Sequence, residues 1–233
     1  MSNFVLVHGG FQGSWIWQPT VKCLRDAGHT VYAPTLAGCA ERLHEIRPGI
    51  TVSVQAREVA DMMFFEDIED AILVGTSFGG MVISKAAELV RERVHHLVYV
   101  DALAPQPGET CADIVNRDPN TDYQRFELTQ GPTKRDMETR LFADFEPGLK
   151  DWAVARYTLH PNDATDALPG ELDVFWAQNW AATVIRCAKS ANPSEAHQRR
   201  TAEKLNGVWH EMNAGHYPML THPEELTQLL TTI

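Results

Sequence analysis

The stretch Ala71-Ile72-Leu73-Val74-Gly75-Thr76-Ser77-Phe78-Gly79-Gly80-Met81-Val82-Ile83 constrains this chain more than any other. It reads as a short apolar strand, a tight turn carrying Gly-x-Ser-x-Gly, and the start of an apolar-faced helix. A serine on so sharp a strand-to-helix turn sits in strained backbone, with its hydroxyl pushed out above the sheet edge. Gly75 and Gly79 lack the side chains that would keep strand and helix apart. The helix beginning after Ser77 points its free N–H groups and positive dipole end to the same place, where an oxyanion would form. This is the geometry of a nucleophile elbow.

The rest of the chain supplies a sheet for that elbow. Phe4-Val5-Leu6-Val7 is a buried-strand run ending in His8-Gly9-Gly10, a glycine-rich turn at a strand's carboxyl end, where open α/β sheets place ligands. A short helix over Thr20–Ala27 with Gly28 as its C-cap, a strand at Thr30–Ala33 and a helix over Val52–Phe65 follow. After the elbow, helix continues over Met81–Val90 and another strand runs from Val94 to Asp101. This alternation predicts an α/β fold with a mostly parallel central sheet and helices on both faces. From Ala102 to about Asn179 no comparable strand appears. Short helical stretches such as Lys134–Phe145 and Leu149–Tyr157 predict a small helical cap over about residues 103–179, inserted after the strand that ends at Asp101. Its Phe126, Phe142, Trp152, Phe175, Trp176 and Trp180 are candidates for lining a pocket. Alternation resumes with a strand at Ala182–Cys187, a helix at Glu195–Leu205, a strand at Gly207–Met212 and a helix at Pro223–Leu230. Without repeats or linkers, 233 residues read as one domain.

Charge and cysteine usage narrow the partners. A formal net charge of −11 disfavours nucleic acid and anionic membrane surfaces, both of which call for basic patches. No apolar run reaches transmembrane length, and Met1 leads into a strand by Asn3, so the expected location is cytoplasmic. Cys23, Cys39, Cys111 and Cys187 lack metal spacing and read as free thiols, with Cys187 in the core. No cofactor or metal is called for, and the oligomeric state stays open, a homodimer included.

A serine hydroxyl needs a base within hydrogen-bond reach. Among ten histidines, His95 and His96 precede a strand, and His160, His197 and His222 sit in polar stretches read as exposed. His216 follows the last strand in a glycine-containing turn, at the sheet edge where Ser77 must sit, and comes last in chain order. His8 precedes the glycine turn and reads as its buttress.

Three segments together carry a resemblance: His8-Gly9-Gly10 with Gly13-x-Trp15-x-Trp17; Gly75-Thr76-Ser77-Phe78-Gly79-Gly80; and Ala214-Gly215-His216-Tyr217-Pro218. The chain resembles the α/β-hydrolase superfamily, and within it the small esterases grouped with plant methylesterases and hydroxynitrile lyases and their bacterial relatives. The resemblance implies Ser77 as nucleophile, His216 as general base and then acid, and the backbone N–H groups of Phe11 and Phe78 as the oxyanion hole. Relatives usually place an Asp where this chain has Ser190, so the acid that orients the imidazole is displaced. Asp101, at the end of the strand after the elbow helix, is the expected replacement, with Ser190 or a water as its rival. Glu195 lies too far along, in the next helix.

The resulting expectation is a cofactor-independent serine esterase that cleaves a small, largely apolar carboxylic ester or lactone through an acyl-enzyme on Ser77. One alternative is a lyase of the hydroxynitrile-lyase type. Those enzymes resemble this chain but carry Thr at the position of Gly10 and Lys at that of Tyr217. Another is a cyclase or binding protein that keeps the fold. Dehalogenase and epoxide-hydrolase chemistry would need a carboxylate where Ser77 stands.

Overall fold

The computed structural model describes residues 1–115, 121–165 and 169–233. Its centre is a six-stranded sheet of β1 (Asn3–Val7), β2 (Thr30–Tyr32), β3 (Ala71–Ser77), β4 (Val94–Ala102), β8 (Ala182–Cys187) and β9 (Val208–Met212). The order across it is β2-β1-β3-β4-β8-β9, and every pairing is parallel. The elbow strand β3 is thus central, and the carboxyl ends of β1, β3, β4, β8 and β9 open onto one edge.

Alternation along the strands sorts the core into two layers. Val5, Val7, Leu73, Leu97, Tyr99 and Val184 face the helices α2 (Val52–Phe65) and α3 (Gly79–Leu89). Phe4, Leu6, Val74, Val98, Val100 and Ile185 face the other way, onto Leu24 of α1 (Gln18–Asp26) and Leu226 and Leu230 of the last helix, Pro223–Leu230. Both layers are buried, so the sheet reads as nearly continuous apolar runs, as parallel strands covered on both faces must.

Between β4 and β8 the chain departs from a purely helical insertion. Besides helical turns at Lys134–Leu141 and a helix at Pro147–Val154, it builds an antiparallel sheet from β5 (Tyr123–Arg125), β6 (Thr129–Pro132) and β7 (His160–Pro161). These strands are too short, and too rich in Gly and Pro, to leave an alternation signal. None of the four cysteines forms a disulfide, and Cys187 is fully buried. Among the described residues no helix is long and apolar enough to cross a membrane.

Candidate active site

Ser77 is the last residue of β3 and has φ of +51°, a left-handed conformation that costs a non-glycine residue on the order of 1–3 kcal/mol. The turn that imposes it leaves no space on its inner side. A Cβ on Gly75 would stand 2.6 Å from the carbonyl oxygen of Gly79, and one on Gly79 would stand 2.5 Å from that of Val7. The β1 turn lies directly alongside, since a Cβ on Gly9 would come within 2.8 Å of the Ser77 Cβ. Phe11 on that turn also has positive φ, +69°. Among the described residues neither the Phe11 nor the Phe78 backbone N–H donates to a backbone carbonyl in a turn or loop.

His8 stands behind this turn and does not join it as a base. Its Nδ1 is 2.7 Å from the Gly9 carbonyl oxygen, and its Nε2 accepts from the Leu36 N–H at 3.0 Å. Complete burial lowers its pKa to about 4, so the ring is a neutral strut.

The third element is a β-bulge. Thr76 pairs with Val100 and Ser77 with Ala102, which leaves Asp101 as the extra residue of β4, with φ of +47°. A bulge re-aims a side chain that an unbroken ladder would send into a layer of the core. Here it turns the fully buried carboxylate of Asp101 across the end of β8 to His216, with Oδ2 2.6 Å from Nδ1. The other oxygen, Oδ1, accepts from Gln198 Nε2 at 2.7 Å and lies 3.4 Å from the Cys187 N–H. His216 rides on the loop after β9, where Lys189 N–H binds the Ala214 carbonyl oxygen at 3.0 Å. Gly215 leaves room for the Asp144 carboxylate, which a Cβ there would strike.

The site thus gathers Ser77, Phe11 and Phe78 at one turn pair, and Asp101 with His216 on the next strands. Among the described residues no hydrogen bond joins Ser77 to His216; both side chains are half-buried, and such bonds often close only around substrate. Ser190 does not reach the imidazole and donates its hydroxyl to the Asn192 carbonyl oxygen at 2.9 Å. Glu195 begins the following helix and pairs with Arg199 and Arg186.

Two histidines read as exposed are buried. His197 is 1% exposed and its Nε2 accepts from Ala104 N–H at 3.1 Å. His160, also 1% exposed, packs against the Phe78 and Phe11 rings at 4.6 and 6.0 Å, with Cys39 Sγ 3.5 Å from its Nδ1. Polar sequence neighbours suggested exposure, but the burial comes from residues more than eighty positions away. Of the aromatic residues offered as a pocket lining, Phe175 and Trp180 stack on each other at 5.2 Å, Trp152 packs on Trp15 at 5.3 Å, and Phe126 is exposed. The rings beside Phe11 are instead Tyr123, Tyr157 and His160. The sequence reading also passed over Gln198.

A parallel sheet with a serine elbow on its central strand and a histidine after its last strand defines an α/β-hydrolase fold. The chain belongs to the Alpha/beta hydrolase family, whose model matches residues 4–229. It is 41% identical over 110 residues to the carbendazim hydrolyzing esterase of Nocardioides sp. (strain SG-4G), covering 47% of this chain and 46% of that protein. It is 37% identical over 111 residues to polyneuridine aldehyde esterase of Rauvolfia serpentina, covering 46% of this chain and 41% of that one. The matched stretches therefore span under half the length of these two relatives. Among solved structures, that of polyneuridine aldehyde esterase superposes with a TM-score of 0.82 at 22% identity, covering 100% of this chain and 98% of that one. At that identity the likeness speaks for the fold alone.

Proposed function

We propose that this chain is a cofactor-independent carboxylic-ester hydrolase that works through an acyl-enzyme on Ser77. The observation that carries the reading is the 2.6 Å contact between Asp101 and His216 on the sheet edge that holds the strained Ser77. A buried carboxylate facing Nδ1 keeps the ring proton there, which leaves the Nε2 lone pair free for the serine proton. Ser77 Oγ attacks the ester carbonyl as His216 takes that proton. The oxyanion is met by the backbone N–H groups of Phe11 and Phe78, each donor of this kind lowering the barrier by about 3 kcal/mol. His216 returns the proton to the departing alcohol, and the acyl group remains on Ser77. Water, deprotonated by the same imidazole, then releases the acid and regenerates the hydroxyl.

The relatives named as esterases support ester hydrolysis as the reaction. The surroundings of Phe11 favour a small, largely apolar substrate. Tyr157 is buried, and burial lowers the His160 pKa to about 3, so that ring carries no charge. The test is turnover of p-nitrophenyl acetate and butyrate by the wild type and by Ser77→Ala. Turnover that survives the substitution unchanged removes the serine mechanism, and none from either protein removes the esterase reading.

A further inference from the structure

An acid at the end of β4 faces a problem that one on the loop after β8 does not. Asp101 is fully buried, so water cannot satisfy the carboxylate oxygen that His216 leaves unused. A buried carboxylate without partners would take up a proton or turn away from the imidazole. The Cys187 N–H lies at 3.4 Å, which makes it a weak partner.

The helix Glu195–Leu205 supplies the strong one. Ser194 caps it, its hydroxyl accepting from the His197 N–H at 3.2 Å, and the side chains of His197 and Gln198 grip the bulge and the segment after it. His197 takes the Ala104 N–H at 3.1 Å, and Gln198 donates to Asp101 Oδ1 at 2.7 Å. The Gln198 orientation is unambiguous. Its Nε2 faces both Asp101 Oδ1 and the Pro193 carbonyl oxygen, the latter at 3.0 Å, and these are acceptors only. Both amide hydrogens are therefore used, and at 1% exposure the side chain has no freedom to turn.

We propose that Gln198 is the positioning residue for the displaced acid, holding the Asp101 carboxyl group with one oxygen toward the helix and the other toward His216. It acts through Asp101 and touches neither substrate nor Ser77. The inference rests on the catalytic reading of Ser77, His216 and Asp101, but its geometric part can be measured without turnover. Cys187 and Tyr217, both pushed up by burial, sense the Asp101 charge; Arg186 and Glu225 act on Cys187, and Asp144, which stands against Gly215, acts on Tyr217.

The experiment compares wild type, Gln198→Leu and Gln198→Glu in three readouts: kcat and KM for p-nitrophenyl butyrate, the pH profile of kcat/KM, and the low-field proton NMR signal of the His216 Nδ1–H. Gln198→Leu removes one charge-assisted hydrogen bond and is expected to lower kcat about tenfold to a hundredfold with KM nearly unchanged. It also removes a donor that draws charge away from the oxygen facing the imidazole, so the acidic limb of kcat/KM moves to higher pH. Gln198→Glu sets a second buried carboxyl against Asp101 Oδ1; the two cannot both ionise, so the pair shares one proton, the counter-charge facing the imidazole weakens, and that limb moves to lower pH. The low-field signal shifts or broadens in both variants, and opposite movements of the limb in the two are not what loss of packing alone would produce. Wild-type kcat in Gln198→Leu with an unmoved signal overturns the proposal while leaving the Ser77 reading intact. Should Gln198→Leu fail to fold, the near-isosteric Gln198→Glu decides alone, and a profile superimposable on the wild type overturns it. If Ser77→Ala retains full activity, the underlying reading fails, and the NMR signal still reports whether Gln198 holds Asp101 to His216.

Discussion

Replacing Asp101 with Asn gives a sharp expectation because the structure dictates which way the new amide must lie. Gln198 Nε2 at 2.7 Å and the Cys187 N–H at 3.4 Å both present hydrogens to the Oδ1 position. The Asn carbonyl oxygen must occupy it, since an NH₂ there would face two donors. Its NH₂ then faces His216 Nδ1 across the 2.6 Å contact that Oδ2 made. The ring can meet a donor only by placing its own proton on Nε2, where it can no longer accept from Ser77. In serine hydrolases that hold the imidazole in this way, the same swap lowers kcat about 10⁴-fold, equivalent to about 5.5 kcal/mol of barrier. The assay is kcat for p-nitrophenyl butyrate at pH 7 to 8, with circular dichroism to check the fold. Adding Gln198→Leu to Asp101→Asn removes the stronger of the two donors, lets the amide turn over, and is expected to recover part of the loss. A folded Asp101→Asn protein within tenfold of wild type would refute the reasoning.

Ser190→Ala is expected to leave kcat within about twofold, because the Ser190 hydroxyl is committed to Asn192; a loss comparable to that of Asp101→Asn would move the orienting role to Ser190. Gly75→Ala drives a Cβ to 2.6 Å from backbone at the elbow and should cost about 1–3 kcal/mol, read as a fall in Tm of roughly 2–4 °C per kcal/mol; an unchanged melting curve would contradict the packing described. Burial lowers the pKa values of His8 and His197 from 6.5 to about 4, so the unfolded chain binds protons that the folded one refuses. Stability is then full above about pH 6.5 and falls as pH drops toward 4, by up to about 3 kcal/mol for the fully buried His8. Urea unfolding at pH 7 and pH 5 tests this, and His8→Asn should flatten the difference, while equal stability at both values would count against the buried neutral rings.

How far the sequence could be read follows from how local each signal is. The elbow and the succession of strands and helices were legible because β1, β2 and β3 are largely apolar runs interrupted by Gly or Pro, and Ala182–Cys187 and Pro223–Leu230 fall where the pattern puts them. The role of orienting His216 had three candidates in the sequence: Asp101, Ser190 and a water. The feature that turns Asp101 to the imidazole is a single-residue bulge, a matter of register between strands that has no trace in composition. Gln198 was missed because Glu195-Ala196-His197-Gln198-Arg199-Arg200 reads as a solvated helix face, and only packing onto the end of β4 buries its middle. His160 was misread for the same reason, since Phe11, Cys39 and Phe78, which cover it, lie far away in the chain. The small sheet β5–β7 escaped because its strands are only two to four residues long.

The central claim is that Ser77 becomes covalently acylated. Intact mass spectrometry after treatment with a fluorophosphonate probe, followed by peptide mapping, tests it most directly. The account predicts a single adduct on Ser77, absent in Ser77→Ala and formed far more slowly in Asp101→Asn. An unlabelled wild type, or an adduct on any other residue that persists in Ser77→Ala, would contradict it.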